Sequence, residues 1–350
     1  MSTSPQDPPS QPKNAVTEAS EGGRVLVTGA AGFIGSHTAE ALLRRGDSVI
    51  GLDSLDPYYD VGVKLGNLED VHRTAEMHPG SFASHEIDLC DAARVEALIR
   101  DEGITGVIHL AAKAGVRPSI ADPVGYTRTN LLGTSCLLEA CKAAGVDRIV
   151  VASSSSVYGN NEKVPFAEDD PVEHPISPYA STKRGCELLC HTHHHLTGAS
   201  VACLRFFTVF GPRQRPDLAI SLFLDRISRG ETITMFGDGS MSRDFTFIDD
   251  IVSGVVAAHD RIHAHGYRIW NLGGSSPHRL DDLIATVARV VGREPVIDQR
   301  PQPPGDVDRT WSDPSRAMAD LGWEPTTDLE TGVRAQWAWM QDRVATGGAR

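Results

Sequence analysis

The sequence predicts an α/β fold, a doubly wound parallel sheet with a second, smaller mixed α/β lobe. Three observations predict it. From Arg24 onward short β-branched runs alternate with helical patterns, each helical run ends in a turn signal, and a glycine-spaced segment, VLVTGAAGFIGSH, joins the first strand to the first helix. Candidate strands are Arg24–Thr28, Ser48–Asp53, Ser81–Glu86, Gly106–Leu110, Arg148–Ser153 and Ser200–Phe206. Helical stretches lie between them at Phe33–Arg45, Ala92–Glu102, Leu131–Ala144 and Pro178–Leu196. They end in Arg45-Gly46-Asp47, Glu102-Gly103, Ala144-Gly145 and Thr197-Gly198, where glycine accepts the left-handed conformation that stops a helix. Such a fold takes its ligands at the carboxyl ends of the strands.

Residues 1–23 read as a disordered tail, rich in Pro, Ser and Gln and lacking the basic-then-apolar order of a signal peptide. Residues 24–206 read as the cofactor domain. After Phe206 the rhythm changes: Gly211–Pro216 and Phe236–Ser242 are loop-like, and Arg300–Gly305 is a Pro-rich connector. A strand at Tyr267–Leu272 and helices at Leu280–Val291 and Asp328–Asp342 make up the rest of this half. Residues 207–345 are therefore expected to form mainly a substrate lobe, with some segments returning to the first sheet.

Composition removes several functions. With 33 Lys plus Arg against 46 acids, the formal charge is −13 over 350 residues, which argues against nucleic acid or an anionic membrane as partner. No stretch reaches the roughly 18–20 apolar residues of a membrane span. Cys90, Cys136, Cys141, Cys186, Cys190 and Cys203 show no CxxC pairing and sit in apolar segments. They read as free thiols in a reducing, cytoplasmic setting.

Gly29, Gly32 and Gly35, between an apolar strand and a helix, make a Rossmann-type nucleotide site. The first allows the tight turn, the second lets backbone approach a pyrophosphate, and the third lets helix and strand pack closely. Phe33 and Ile34 stand at the helix N-terminus, whose free N–H groups face the phosphates. Asp53 ends the next strand, where a carboxylate accepts from the ribose hydroxyls and repels a 2′-phosphate, favouring NAD over NADP. Asp88 and Leu89 are expected at the adenine, and Leu110, Ala111 and Ala112 where the fourth strand meets the cofactor.

Tyr179-Ala-Ser-Thr-Lys183 opens a helix, and a spacing of four puts the two side chains on one face. A phenol titrates near about 10 and is a poor base, but a neighbouring ammonium and a positive nicotinamide favour the phenolate. Lys183 can also hold the nicotinamide ribose. Ser154, in the run Ser153–Ser156 that ends an adjacent strand, is the expected hydrogen-bonding partner of the reacting hydroxyl.

GxxGxxG, Asp53, ASSSSVYG, SPYASTK, LRFFTVFGPRQRPD and FGDGSMSRDFTFIDD occur in that order over residues 24 to 340. Together they resemble the extended short-chain dehydrogenases, the sugar-nucleotide epimerases and dehydratases. Within that family AGVRPS (114–119), RFFTVFGPRQRPDLA (205–219) and SRDFTFIDD (242–250) are most similar to UDP-glucuronate 4-epimerases.

The resemblance implies a shared first step, in which the tyrosinate takes the proton of the sugar 4-hydroxyl while hydride passes to NAD. The 4,6-dehydratases carry Asp and Glu just before VYG, and UDP-glucuronate decarboxylases carry Glu there; here stand Ser155 and Ser156. That leaves 4-epimerisation. UDP-galactose epimerases carry Asn where this chain has Thr208. Ser155, Ser156 and Thr208 could bind a sugar carboxylate and hold it in an orientation that suppresses loss of carbon dioxide from the 4-keto acid. A core-facing Thr208, an epimerase of a neutral UDP-hexose, a decarboxylase using other groups and a non-catalytic NAD-binding scaffold are the alternatives, though scaffolds typically lack the Tyr–Lys pair.

For UDP, Arg243 matches the family's diphosphate-binding arginine, with Arg213 or Arg215 as further candidates and Arg117 expected to face the sugar. Asp306 matches a family acid near the uridine ribose, while Pro303 stands where UDP-galactose epimerases carry Arg. His191, His193, His194 and His195 are discounted as a metal site for want of a completing ligand. Trp311, Trp323, Trp337 and Trp339 are expected to pack the small lobe. The helices at 131–144 and 178–196 resemble those that pair in family homodimers.

Overall fold

The computed structural model describes residues 23–301 and 307–345. The expected tail, apart from Gly23, and most of the Pro-rich connector with Pro303 and Asp306 lie outside the described residues.

The first half runs β1 (Arg24–Thr28), α1 (Phe33–Arg45), β2 (Ser48–Asp53), α2 (Val61–Met77), β3 (Ser81–Glu86), α3 (Ala92–Asp101) and β4 (Ile104–His109). Two short helices, α4 (Val116–Ala121) and α5 (Pro123–Tyr126), lead through a π-helical turn at Thr127–Leu132 into α6 (Gly133–Ala144). Then come β5 (Arg148–Ser154), α7 (Pro178–Thr197), β6 (Ser200–Phe206) and β7 (Thr208–Phe210). The remainder is α8 (Ala219–Arg229), β8 (Thr232–Phe236), β9 (Ser242–Phe247), α9 (Ile248–Arg261), β10 (Tyr267–Leu272) and β11 (Pro277–Arg279). It closes with α10 (Leu280–Val291), β12 (Val296–Arg300), α11 (Ser315–Leu321) and α12 (Leu329–Ala345).

Seven strands form the main sheet in the order β10-β6-β5-β4-β1-β2-β3, every pairing parallel. The order reverses between β1 and β4, which opens a crevice beyond their carboxyl ends. Both faces are covered, as a parallel sheet requires. On one face Leu42, Leu43, Ile251, Trp270 and Trp323 share a core; on the other Leu98, Ile99, Leu137, Leu138 and Val201 do. A third core around Phe210, Phe223, Leu224, Phe247 and Leu283 joins α8, α9, α10 and α12.

Helix ends follow local chemistry. Gly46, Gly145 and Gly198 adopt φ of 101°, 71° and 76° and close α1, α6 and α7 as expected. Ser177 starts α7 by accepting from Ala180 N–H, with Pro178 in the first turn.

Several expectations are corrected. β4 begins and ends earlier than its apolar run, and the first part of the Leu131–Ala144 helix is a π-turn. The expected loop-like stretch from Phe236 to Ser242 is the connection between β8 and β9. Trp323 packs against the main sheet rather than in the small lobe, its Nε1 donating to Asp250 O at 2.7 Å. α2 went unrecognised because its buried face mixes Val63 and Val71 with Lys64, Asn67 and Thr74. An apolar stripe is missing there.

Candidate active site

The turn after β1 is pinned to β2 by Gly29 N–H donating to Leu52 O at 2.7 Å. Gly29 has φ +73°, and a Cβ there would lie 2.8 Å from Ala111 N; one at Gly35 would lie 2.0 Å from Gly29 O. Both must be glycine. Gly32 caps α1 without a side-chain bond, leaving first-turn N–H groups for an anion. Gly29, Gly32, Phe33, Ile34, Gly35, Asp53, Asp88, Leu89, Leu110, Ala111, Ala112 and Tyr179 line one cavity of about 400 Å³.

Asp53 Oδ2 accepts from Ala31 N–H at 3.2 Å and Oδ1 from Leu55 N–H at 2.9 Å, which fixes the carboxylate at the end of β2. Lys64 Nζ lies 3.7 Å from Asp53 Oδ1 and is nearly buried. Asp88 accepts from Arg128 at 2.8 Å; against the cost of burial, Cys90 N–H and Arg128 hold its carboxyl below the usual range. A glycine cradle with no room for a Cβ, a helix N-terminus and a fixed ribose-range carboxylate fit a dinucleotide.

A second cavity of about 250 Å³ is lined by Ser154, Ser155, Ser156, Thr208, Arg243 and Thr310. The two cavities share Ser154, Tyr179, Phe206, Phe207 and Thr208. They are arms of one cleft that meet at Tyr179. Ser154 Oγ accepts from Ser156 N–H at 3.2 Å and from Ser156 Oγ at 2.9 Å. Lys183 stands one turn below Tyr179, 5% exposed, its Nζ donating to Ala152 O at 2.7 Å.

Buried polar groups hold this junction. Glu187 on α7 accepts from Arg205 on β6 through both oxygens, at 2.8 and 3.0 Å, and from Ser153 Oγ at 2.7 Å. Burial opposes its charge, yet Arg205 keeps the Glu187 carboxyl below its usual range. The pair ties the helix of Tyr179 and Lys183 to β6, and the Ser153 bond ties it to β5, the strand that ends in Ser154. Beneath, His109 lies between Thr28 Oγ1 (2.7 Å) and Thr134 Oγ1 (3.0 Å). Burial, reinforced by Lys183, pushes its pKa down to about 3, so it is neutral.

Two expected residues stand elsewhere. Arg213 turns away from both arms: its guanidinium bonds Glu40, Asp70 and Ser36, because two carboxylates on α1 and α2 outcompete an open cleft. Arg117 stacks over the Phe236 ring at 4.6 Å and lines neither arm. Arg215 does line the first arm, with Ala114 O as acceptor at 3.1 Å and Asp217 accepting from its Nε and Nη2. Asp306 lies outside the described residues. Sequence reasoning missed Tyr58, Tyr59 and Lys64, which reach the nucleotide arm from DPYYDVGVK. Their proximity to Asp53 was the available signal.

The histidines have packing roles. His191 meets the Tyr267 ring edge-on at 5.0 Å and His194 Nδ1 bonds Ala199 O at 2.7 Å. Among the described residues no three His, Cys, Asp or Glu side chains converge to hold a metal.

The family described as GDP-mannose 4,6 dehydratase matches residues 26–336. The chain belongs to that family, the extended short-chain dehydrogenases. A family member from Thermodesulfobacterium geofontis, a UDP-glucuronate 4-epimerase, is 40% identical over 323 residues, covering 92% of this chain and 97% of its own. UDP-glucuronate 4-epimerase 3 of Arabidopsis thaliana is 42% identical over 90% of this chain and 76% of its own. The crystal structure of UDP-glucuronic acid 4-epimerase from Bacillus cereus, in complex with UDP-glucuronic acid and NAD, superposes with a TM-score of 0.83 at 35% identity. That match covers 91% of this chain and 99% of the other.

Proposed function

We propose that this protein is an NAD-dependent epimerase that interconverts UDP-glucuronic acid and UDP-galacturonic acid. The observation that carries the reading is the meeting of a dinucleotide arm and a hydroxyl-lined arm at Tyr179. Relatives named for that activity support it.

The chemistry that bound NAD supplies is reversible hydride exchange with carbon 4 of the sugar. Tyr179 takes the proton of the 4-hydroxyl and later returns it, while Ser154 hydrogen-bonds the same oxygen. Lys183, one turn from Tyr179 on α7, is assigned to the nicotinamide ribose. Asp53 takes the adenosine ribose, and Asp88 with Leu89 the adenine. Ser155, Ser156 and Thr208 receive the uronate carboxylate and turn it out of the orientation from which carbon dioxide leaves. Arg243, which lines the sugar arm, is assigned to the UDP diphosphate, whereas Arg215 lines the dinucleotide arm; Asp306 is assigned to the uridine ribose by resemblance. Residues 24–206 act mainly as the cofactor half and 207–345 as the substrate half.

Two further assignments belong to this reading. Val124, Leu132 and Leu188 are exposed along the face of α5, the π-turn and α7, which supports a homodimer through these helices. Six free cysteines support a reducing, cytoplasmic setting, and no described helix is long and apolar enough to cross a membrane.

Proton NMR of the protein with UDP-glucuronic acid and catalytic NAD tests the function. UDP-galacturonic acid is expected at a fixed final ratio, without pentose. A UDP-pentose product would make the protein a decarboxylase. Turnover of UDP-glucose alone would discard the uronate.

A further inference from the structure

An epimerase that oxidises and re-reduces the same sugar must keep its reduced cofactor through the interval, since no external reductant replaces it. Nothing covalent holds a dinucleotide in the cleft described above. Retention therefore depends on what closes the nucleotide arm, and one tripeptide in the second lobe stands out.

Arg213, Gln214 and Arg215 point in three directions. Arg215 lies over the Tyr58 ring at 4.9 Å and donates to Ala114 O at 3.1 Å, roofing the arm between two loops of the first lobe. Gln214 is locked into the second lobe, its Nε2 donating to Val209 O at 3.0 Å and its Oε1 accepting from Ser221 and Gln336. Arg213 crosses back to the cofactor helix. Its Nη2 bonds Glu40 Oε1 at 2.6 Å and Asp70 Oδ2 at 3.1 Å, and its Nη1 reaches Ser36 Oγ at 3.3 Å. Only 10% of the Arg213 side chain and 6% of Glu40 are exposed. Arg213 also holds φ +63°, a conformation side-chain-bearing residues avoid, so the surroundings impose the turn.

We infer that Arg213 is a latch: by pairing with Glu40 it holds the second lobe's Arg215 roof against α1 and slows release of the dinucleotide during turnover. It is a positioning residue, touching neither arm itself. The inference rests on the function proposed above for its purpose, but its test needs no sugar.

The holoenzyme is loaded with radiolabelled NAD and chased with excess unlabelled NAD. Arg213→Met keeps the length of the side chain and removes its donors; Glu40→Gln keeps the shape of the partner and removes its charge. Each is expected to speed NAD release about tenfold or more, as loss of a buried charge pair acts mainly on dissociation. The double variant is expected to release NAD no faster than Arg213→Met, because that variant already removes the contact with Glu40. Under turnover, either variant should lose activity with time and regain it on adding NAD, a recovery that irreversible unfolding would not allow. Release unchanged in Glu40→Gln, or multiplicative effects in the double variant, would overturn the latch even if Arg213→Met fails to fold. Slow NAD release with no turnover of UDP-glucuronic acid would instead sink the substrate assignment and leave the latch standing.

Discussion

The two arms of the cleft are built on different principles. The nucleotide arm is built around a compact backbone cradle, with Gly29, Gly35 and Asp53 within 25 residues of one another, and later segments such as Asp88, Leu110 and Tyr179 complete its lining. The sugar arm is side chains from distant segments: Ser154 to Ser156 after β5, Thr208 on β7, Arg243 on β9 and Thr310 beyond β12. The first arm depends on the absence of atoms, the second on where hydroxyls and charges are carried. A defect in the first should therefore destroy binding and stability together. A defect in the second should alter chemistry while leaving the fold intact.

The largest effect should come at the junction. Tyr179→Phe is expected to lower kcat by about 10³-fold or more with unchanged melting temperature and NAD content; activity within tenfold of the unaltered protein would remove Tyr179 from the mechanism. Gly35→Ala comes next. Its Cβ would press on Gly29 O at 2.0 Å, so a loss of roughly 3 kcal/mol and of NAD binding is expected by calorimetric titration and denaturant unfolding. Stability equal to the parent would mean the turn relaxes freely and the comparison fails.

Asp244 sharpens the contrast from the other side. It is fully buried beside Arg243, accepting from Ser312 N–H at 2.8 Å and Ser275 N–H at 3.0 Å. Burial raises its pKa from 3.8 to about 6, with those N–H groups resisting. A raised folded-state pKa means the folded protein binds the proton more tightly, so this group favours folding below about pH 4 and that advantage is lost as pH rises through about 6. Relative to Asp244→Asn, the unaltered protein should lose up to about 3 kcal/mol between pH 4 and 7. Parallel stability curves for the two proteins would contradict it.

The smallest effect is the most specific. Thr208→Ala should weaken UDP-glucuronic acid binding by about tenfold, one charge-assisted hydrogen bond's worth, and let a UDP-pentose appear among the products. Undiminished affinity and a pure uronate product would return Thr208 to the role of a strand residue.

Legibility in the sequence divides along the same line. The parallel strands, the glycine turn, Asp53 and the Tyr179–Lys183 pair were readable because each is a short-range pattern whose geometry follows from a helical or strand period. Ser154 was readable because it ends a strand beside that helix. Arg213 and Arg215 were not separable. Two residues apart in one loop, they differ only in that Glu40 and Asp70 wait for one while the cleft waits for the other. Arg117 was lost to Phe236 for a similar reason, and Lys64 was hidden in a helix with no clean apolar face.

By itself the sequence determined which residues could turn tightly, cap a helix, approach a phosphate or share a helical face, since those properties are set within a few residues by sterics and hydrogen-bond geometry. The tertiary structure alone decided which arginine faces the cleft, which is drawn away by carboxylates, and which serines and threonines gather into one arm. Those outcomes are competitions between partners far apart in the chain, and the winner is set by packing and by the desolvation of every charge at once.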